Sequence, residues 1–251
     1  MIQKITTQQS VHKYEILDNI YPINPMAYID TGIVADNDTY IEVKYKTKGS
    51  ANNYYCHLIG IPSVYQNSMT NPAFRIYYHR TTHRLTIQTG TGAPVLNEYW
   101  VDDDTVWHTI KLDHNTLYFD NNKIGQRSGV WTTYNNDTML LFAAITSTYQ
   151  GQYYVEYLKL GSGNSLVRDY VPAKRLSDNV IGLYDKVNDV FYTNAGTGEF
   201  GGTAKSTPEY IDETTDNTIY VNGIIINSTQ INRIYLNGEV YWGGEPDTLT
   251  I

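Results

Sequence analysis

The chain has 251 residues, a formal net charge of −8 and one cysteine. The length suits one large β domain with an appendage, or two modest domains. No Lys/Arg cluster offsets the acidic balance, so there is no electrostatic footprint for nucleic acid, and the lone Cys56 excludes an intrachain disulfide.

Tyr is the compositional outlier at 24 copies, and Asn, Thr and Gly are also abundant. That mixture favours strands and turns over helices, and it suits surfaces that bind by stacking and hydrogen bonding. Residues 1–10 carry no apolar signal core. The longest apolar run, from Met139 to Ile145, is too short to cross a bilayer. The expectation is a protein folded in a cytoplasm and released by assembly or lysis, with no membrane insertion.

In chain order, the first twenty residues are polar and weakly patterned and read as an arm or an edge strand. Thr39 to Thr47 alternates Ile41, Val43 and Tyr45 with Glu42, Lys44 and Lys46, the period of a half-buried strand. Trp107 to Asp113 repeats the pattern with Ile110 and Leu112, and Asp120-Asn121-Asn122-Lys123 reads as a turn after a strand from Leu117 to Phe119. Met139 to Ile145 is continuously apolar, as a strand buried on both faces would be. Tyr153 to Leu160 supplies another strand. No stretch has a clear helical period, so any helix should be a single turn. Short strands spaced by Gly, Asn and Asp turns indicate a sandwich or barrel.

The composition shifts near Gly201 to Pro208, and a boundary is placed there. Beyond it Ile219-Tyr220-Val221-Asn222-Gly223 recurs as Ile234-Tyr235-Leu236-Asn237-Gly238. Each Asn-Gly between β-formers is a hairpin signal, because both central residues of a type I′ turn need positive φ. The expected organisation is an arm over residues 1–20, an all-β sandwich over 21–206 and a β-hairpin module over 207–251. Hairpins of that size are marginal alone, so the tail is expected to pack on something and to serve attachment or self-association.

Catalytic and metal chemistry finds little purchase. Glycosidases need two carboxylates across the sugar bond, commonly alternating along one strand. The strand candidates offer Glu42 alone and Glu156 alone, while Glu209, Asp212 and Glu213 cluster in what reads as a polar linker. The acidic runs Asp36-Asn37-Asp38 and Asp102-Asp103-Asp104 offer oxygen ligands for calcium but lack the calcium-loop pattern, and acidic turns before strands are usually solvated. No histidine spacing fits zinc: His79 and His83 are four apart, but in a segment that reads as strand and turn. No catalytic residues, metal or cofactor are expected. Aromatic residues in predicted loops are the candidate ligand contacts: Tyr54, Tyr55, Trp100, Trp131, Tyr134 and Tyr149. Sugars stack on such rings while Asn and Asp take the hydroxyls. The same rings would equally pack on sandwich edges or against a neighbouring subunit.

The most specific segment is Val167-Arg168-Asp169-Tyr170-Val171-Pro172, then Ile181-Gly182-Leu183-Tyr184-Asp185, then Val190-Phe191-Tyr192-Thr193-Asn194-Ala195-Gly196-Thr197-Gly198-Glu199-Phe200. It resembles the ending of laminin-G/concanavalin A-like jelly-roll domains of the kind found in bacteriophage virion proteins. Tyr28 to Gly32 with Thr39 to Tyr45 is similar to their opening, and Trp107 to Asp113 followed by Leu117 to Asp120 to their central hairpin. The resemblance spans residues 21 to 202. On the residues alone, Asp185 and Asn194 can bond their own backbone to fix turns, while Gly196 and Gly198 permit tight or left-handed conformations. The segment therefore reads as a structural latch. The resemblance implies a non-enzymatic virion protein, a capsid decoration, head or tail fibre, or receptor-binding subunit. It would self-associate, with a trimer the first expectation, and its partners would be other virion proteins and host-surface glycans. The rival expectation is a carbohydrate-active enzyme or its carbohydrate-binding accessory module.

Overall fold

A computed structural model describes residues 2–24, 26–48, 55–61, 75–79, 84–88, 96–100, 106–126, 137–143, 153–222, 234–236 and 239–242. Among these the chain is all-β. In order, the strands are β1 (Ile2–Pro22), β2 (Ile29–Asp30), β3 (Thr39–Thr47), β4 (Tyr55–Gly60), β5 (Arg75–His79) and β6 (Arg84–Gln88). Then come β7 (Leu96–Trp100), β8 (His108–Asp113), β9 (Thr116–Phe119), β10 (Asn122–Gln126), β11 (Leu140–Leu141) and β12 (Tyr153–Ser162). Last are β13 (Ser165–Arg175), β14 (Ile181–Asp185), β15 (Val190–Tyr192), β16 (Phe200–Asn222), β17 (Ile234–Leu236) and β18 (Glu239–Trp242).

The chain divides into two compact units: residues 14–210 form one, and residues 1–13 with 211–251 form the other. In the larger unit two antiparallel sheets share one core, which makes it a β-sandwich. The ten-stranded sheet runs β10-β9-β8-β3-β12-β1-β13-β14-β15 with β16 paired to β1, and the six-stranded sheet runs β2-β11-β4-β5-β6-β7.

The alternation in β3 explains how the first sheet meets the core. Ile41, Val43 and Tyr45 are buried. Ile41 sits between Leu112 and Leu160, and Val43 between Ile110 and Leu158, so apolar rows run across β8, β3 and β12. The other sheet answers with Ile29, Leu58, Ile59, Ile76, Leu85, Ile87 and Leu141 in the same cluster. Burying a branched apolar side chain of this size contributes about 1.5–3 kcal/mol. The Tyr170 hydroxyl in β13 donates to the Thr31 carbonyl just past β2 at 2.9 Å. Burial pushes that phenol well above its ordinary pKa.

Three sequence expectations are modified. The described part of the Met139 to Ile145 run, Met139 to Ala143, is buried, yet within it only Leu140–Leu141 is strand. Phe142 takes a φ of 69°, which stops the ladder while its N–H donates to the Leu58 carbonyl at 2.7 Å. The hairpin signal at Asn237-Gly238 lies between two paired strands, β17 and β18. The first four residues of the earlier copy, Ile219 to Asn222, end β16, a 23-residue strand that runs through the compositional boundary at residues 206–207, and Gly223 lies outside the described residues. Glu209, Asp212 and Glu213 therefore sit on a strand rather than in a linker. Glu209 pairs with Lys205, while in the smaller unit Asp212 pairs with His12 and Glu213 with Lys13. A strand whose acids are met by basic side chains distant in sequence reads like a solvated linker in one dimension.

Candidate functional site

The face of β3 turned away from the core carries Tyr40, Glu42, Lys44 and Lys46. The pairing registers set them beside outward residues of two neighbours: Lys111–Glu42–Lys159 form one row and Thr109–Lys44–Tyr157 the next. A β-bulge in β12, where the register shifts between Val155 and Tyr157, inserts Glu156 as an extra residue. Glu156 and Tyr157 consequently both stay outside the core while Val155 and Leu158 are buried. Bulges that re-aim a side chain in this way are concentrated near functional sites.

The outward groups bind one another. Glu42 accepts hydrogen bonds from the Tyr40 hydroxyl and, at 2.9 Å, from the Tyr157 hydroxyl, with Lys159 Nζ 3.6 Å away. Burial alone would raise the Glu42 carboxyl, but these donors outweigh it and hold the group below the usual carboxylate range. Burial, reinforced by the bond to Glu42, raises both phenols, Tyr157 to about 12. Lys44 Nζ pairs with Glu156 at 2.7 Å. Lysines also cap aromatic rings across the face. Lys111 lies 5.4 Å from the Tyr40 ring and 5.6 Å from the Tyr118 ring, and Lys159 lies 5.0 Å from the Tyr157 ring. Lys46 lies between two rings, 5.0 Å from Trp107 and 4.9 Å from Tyr154.

A cleft of about 750 Å³ opens on this face. Trp107, Tyr154, Tyr157 and Lys46 line it from β12, β3 and the approach to β8, and Asp18, Asn19, Thr203 and Lys205 line it from β1 and β16. Rings flanked by hydroxyl, amide and ammonium groups form the apolar-plus-polar surface that a sugar needs. Fixed cation–π contacts add about 0.5–1 kcal/mol each at exposed sites and hold the rings in place.

The residues singled out from sequence distribute differently. Tyr55 lies in β4 and Trp100 in β7, with their side chains outside the described residues. Tyr54, Trp131, Tyr134, Tyr149 and Asp102 to Asp104 lie outside the described residues altogether. Asp36 is a turn residue: its Oδ1 accepts from the Asp38 N–H at 3.0 Å and from the Thr39 hydroxyl at 3.0 Å. Among the described residues no three His, Cys, Asp or Glu side chains gather as metal ligands.

The closing segment is built from its own backbone bonds. Asp185 is fully buried. Its Oδ1 accepts from the Asp169 and Val187 N–H groups, each at 3.0 Å, and its Oδ2 from Asn188 Nδ2 at 2.7 Å, with Arg168 Nε at 3.5 Å. Asn194 Oδ1 accepts from the Gly196 N–H at 2.9 Å and from the Tyr28 N–H at 3.1 Å, while its amide donates to the Gly198 carbonyl. The N–H groups of Ala195, Thr197 and Gly198 donate to the Tyr28 and Met26 carbonyls. Gly196 is there for close approach and not for a left-handed turn: a Cβ would stand 1.8 Å from the Met26 carbonyl oxygen. The left-handed glycines among the described residues are Gly32 and Gly163.

Sequence reasoning missed two things. It took Glu42 and Glu156 as isolated because it looked for acids along one strand, whereas β3 and β12 bring both to one face. It also passed over Trp107, although parity carried the signal. If Ile110 and Leu112 point inward, then Trp107, Thr109 and Lys111 point outward. Comparison with protein-family models finds no match, and comparison with curated proteins finds none either.

Proposed function

We propose that this chain is a non-enzymatic glycan-binding module on a concanavalin-like jelly roll, serving as a capsid decoration, fibre or receptor-binding subunit of a bacteriophage particle. The observation that carries the binding reading is the outer face of the ten-stranded sheet. Trp107, Tyr154 and Tyr157 stand over a cleft of about 750 Å³ with lysines fixed on their rings. Such a surface offers stacking for the apolar side of a sugar and donors for its hydroxyls.

A binding role is favoured over hydrolysis by the state of the two glutamates. A glycosidase keeps one carboxylic acid protonated to meet the leaving oxygen. Glu42 is held ionised by two phenols and a lysine, and Glu156 is tied to Lys44. The particle setting rests on the resemblance of residues 167–200 to virion jelly-roll endings. Weak sites repeated over a particle, in trimers or larger arrays, gain avidity through effective concentration. A glycan array probed with the full chain and with a Trp107→Ala/Tyr154→Ala double variant tests the binding. The chain should bind at least one glycan and the double variant should lose it. Equal binding by both would remove this face as the site, and reducing ends accumulating from a bound polysaccharide would overturn the non-enzymatic reading.

A further inference from the structure

The chain as a whole is acidic, at −8, yet Lys46, Lys159, Lys186 and Lys205 line the cleft beside the acids Asp18, Glu156 and Asp169. Most of these charges are matched in place. Lys159 faces Glu42, Lys186 pairs with Asp169, Lys205 with Glu209, and Glu156 with Lys44. Asp18 is exposed, where water and salt screen it. Lys46 differs from all of them. Its ammonium is held between the Trp107 and Tyr154 rings, and among the described residues it has no carboxylate partner.

That difference matters to a ligand. An ion-paired lysine gives a new anion little, because its own carboxylate must first be displaced. A lysine placed only by ring faces has its position fixed, so an incoming carboxylate gains a charge-assisted hydrogen bond without first displacing another carboxylate. The rings that hold Lys46 are also the stacking surface of the cleft. We infer that the cleft selects glycans bearing a carboxylate on the sugar ring, with the carboxylate paired to Lys46 Nζ and a neighbouring sugar face on Trp107 or Tyr154. This rests on the glycan-binding reading above and adds the class of sugar.

Uronates and sialates share this chemistry, and the test separates them. The full chain is titrated with polygalacturonate, polysialic acid, dextran and laminarin at low and high salt. At least one of the two anionic polymers should bind about tenfold more tightly than either neutral one, with affinity falling as salt rises. Lys46→Gln should lose about tenfold on that polymer, and Lys46→Arg should keep most of it, with both variants folded and melting within a few degrees of the parent. Undiminished binding of the anionic polymer by a folded Lys46→Gln protein overturns the inference. Binding confined to dextran or laminarin overturns it too but leaves the glycan reading standing. Binding to none of the four removes both.

Discussion

The outer face of the ten-stranded sheet and the closing segment from Gly182 to Phe200 are both rich in polar and aromatic residues, but they use them in opposite ways. In the closing segment the polar side chains bond mainly to backbone, Asp185 to Asp169 and Val187 and Asn194 to Tyr28, Gly196 and Gly198, with Asn188–Asp185 and Tyr184–Asp189 as side-chain pairs. On the sheet face the side chains bond one another across strands and border a cleft. The segment most conspicuous in the sequence thus ties the chain to Tyr28 and Met26, and a quieter set of alternating residues lines the cleft proposed to take a ligand.

Substitutions should separate the two regions. Asp185→Ala removes the carboxylate 3.5 Å from Arg168 Nε and leaves two backbone N–H groups without their acceptor, and breaking such a buried ion pair costs about 3–5 kcal/mol. A urea midpoint within error of the parent would contradict the role given to Asp185. Gly196→Ala forces the chain away from Met26, and overpacking of this kind costs about 1–3 kcal/mol. For a domain of this size that is a fall in melting temperature of about 2–4 °C per kcal/mol.

A third variant leaves both regions intact and sets the pH range in which they can be compared. His57 is fully buried beside Tyr77, and burial, with Arg75 nearby, pushes its pKa down from 6.5 to about 3. The fold therefore holds the neutral ring. Above pH 6.5 the ring is neutral in both states and costs nothing. As pH falls from 6.5 towards 3 the unfolded chain takes up a proton that the fold refuses, and stability drops by up to about 1.4 kcal/mol per pH unit. Urea midpoints of a His57→Phe protein should fall less steeply than the parent's between pH 6.5 and 4; parallel slopes would contradict this. The smallest effect on stability is expected from Trp107→Ala. It should lower stability by about 1 kcal/mol, the cost of losing the contacts of one half-buried ring, while abolishing glycan binding.

Much of the fold was legible because period two is local. The alternation over Thr39 to Thr47 has the same bounds as β3, and the inward set Ile41, Val43 and Tyr45 follows from parity. The Asp120-Asn121 turn was readable for the same local reason, since both residues take the positive φ that Asp and Asn tolerate. So were the bonds that Asp185 and Asn194 make two residues on. What could not be read was anything fixed by pairing between distant strands. The reach of Asn194 to Tyr28, the contact that demands glycine at 196, and the meeting of Glu42 with Tyr157 all depend on register. The bulge at Glu156 breaks the alternation on which parity relies, so it hides the residue it re-aims.

Ligand is proposed to lie on the outer face of the ten-stranded sheet and not at the aromatic residues Tyr54, Tyr55, Trp100, Trp131, Tyr134 and Tyr149. The chain has four tryptophans, Trp100, Trp107, Trp131 and Trp242, so it gives four indole N–H resonances, each assignable by a Trp→Phe variant. Titrating the tightest-binding glycan while following these signals gives the most direct test. The Trp107 resonance should move in step with saturation while those of Trp100 and Trp131 stay in place. A Trp107 signal that stays fixed at saturation while Trp100 or Trp131 shifts would contradict it.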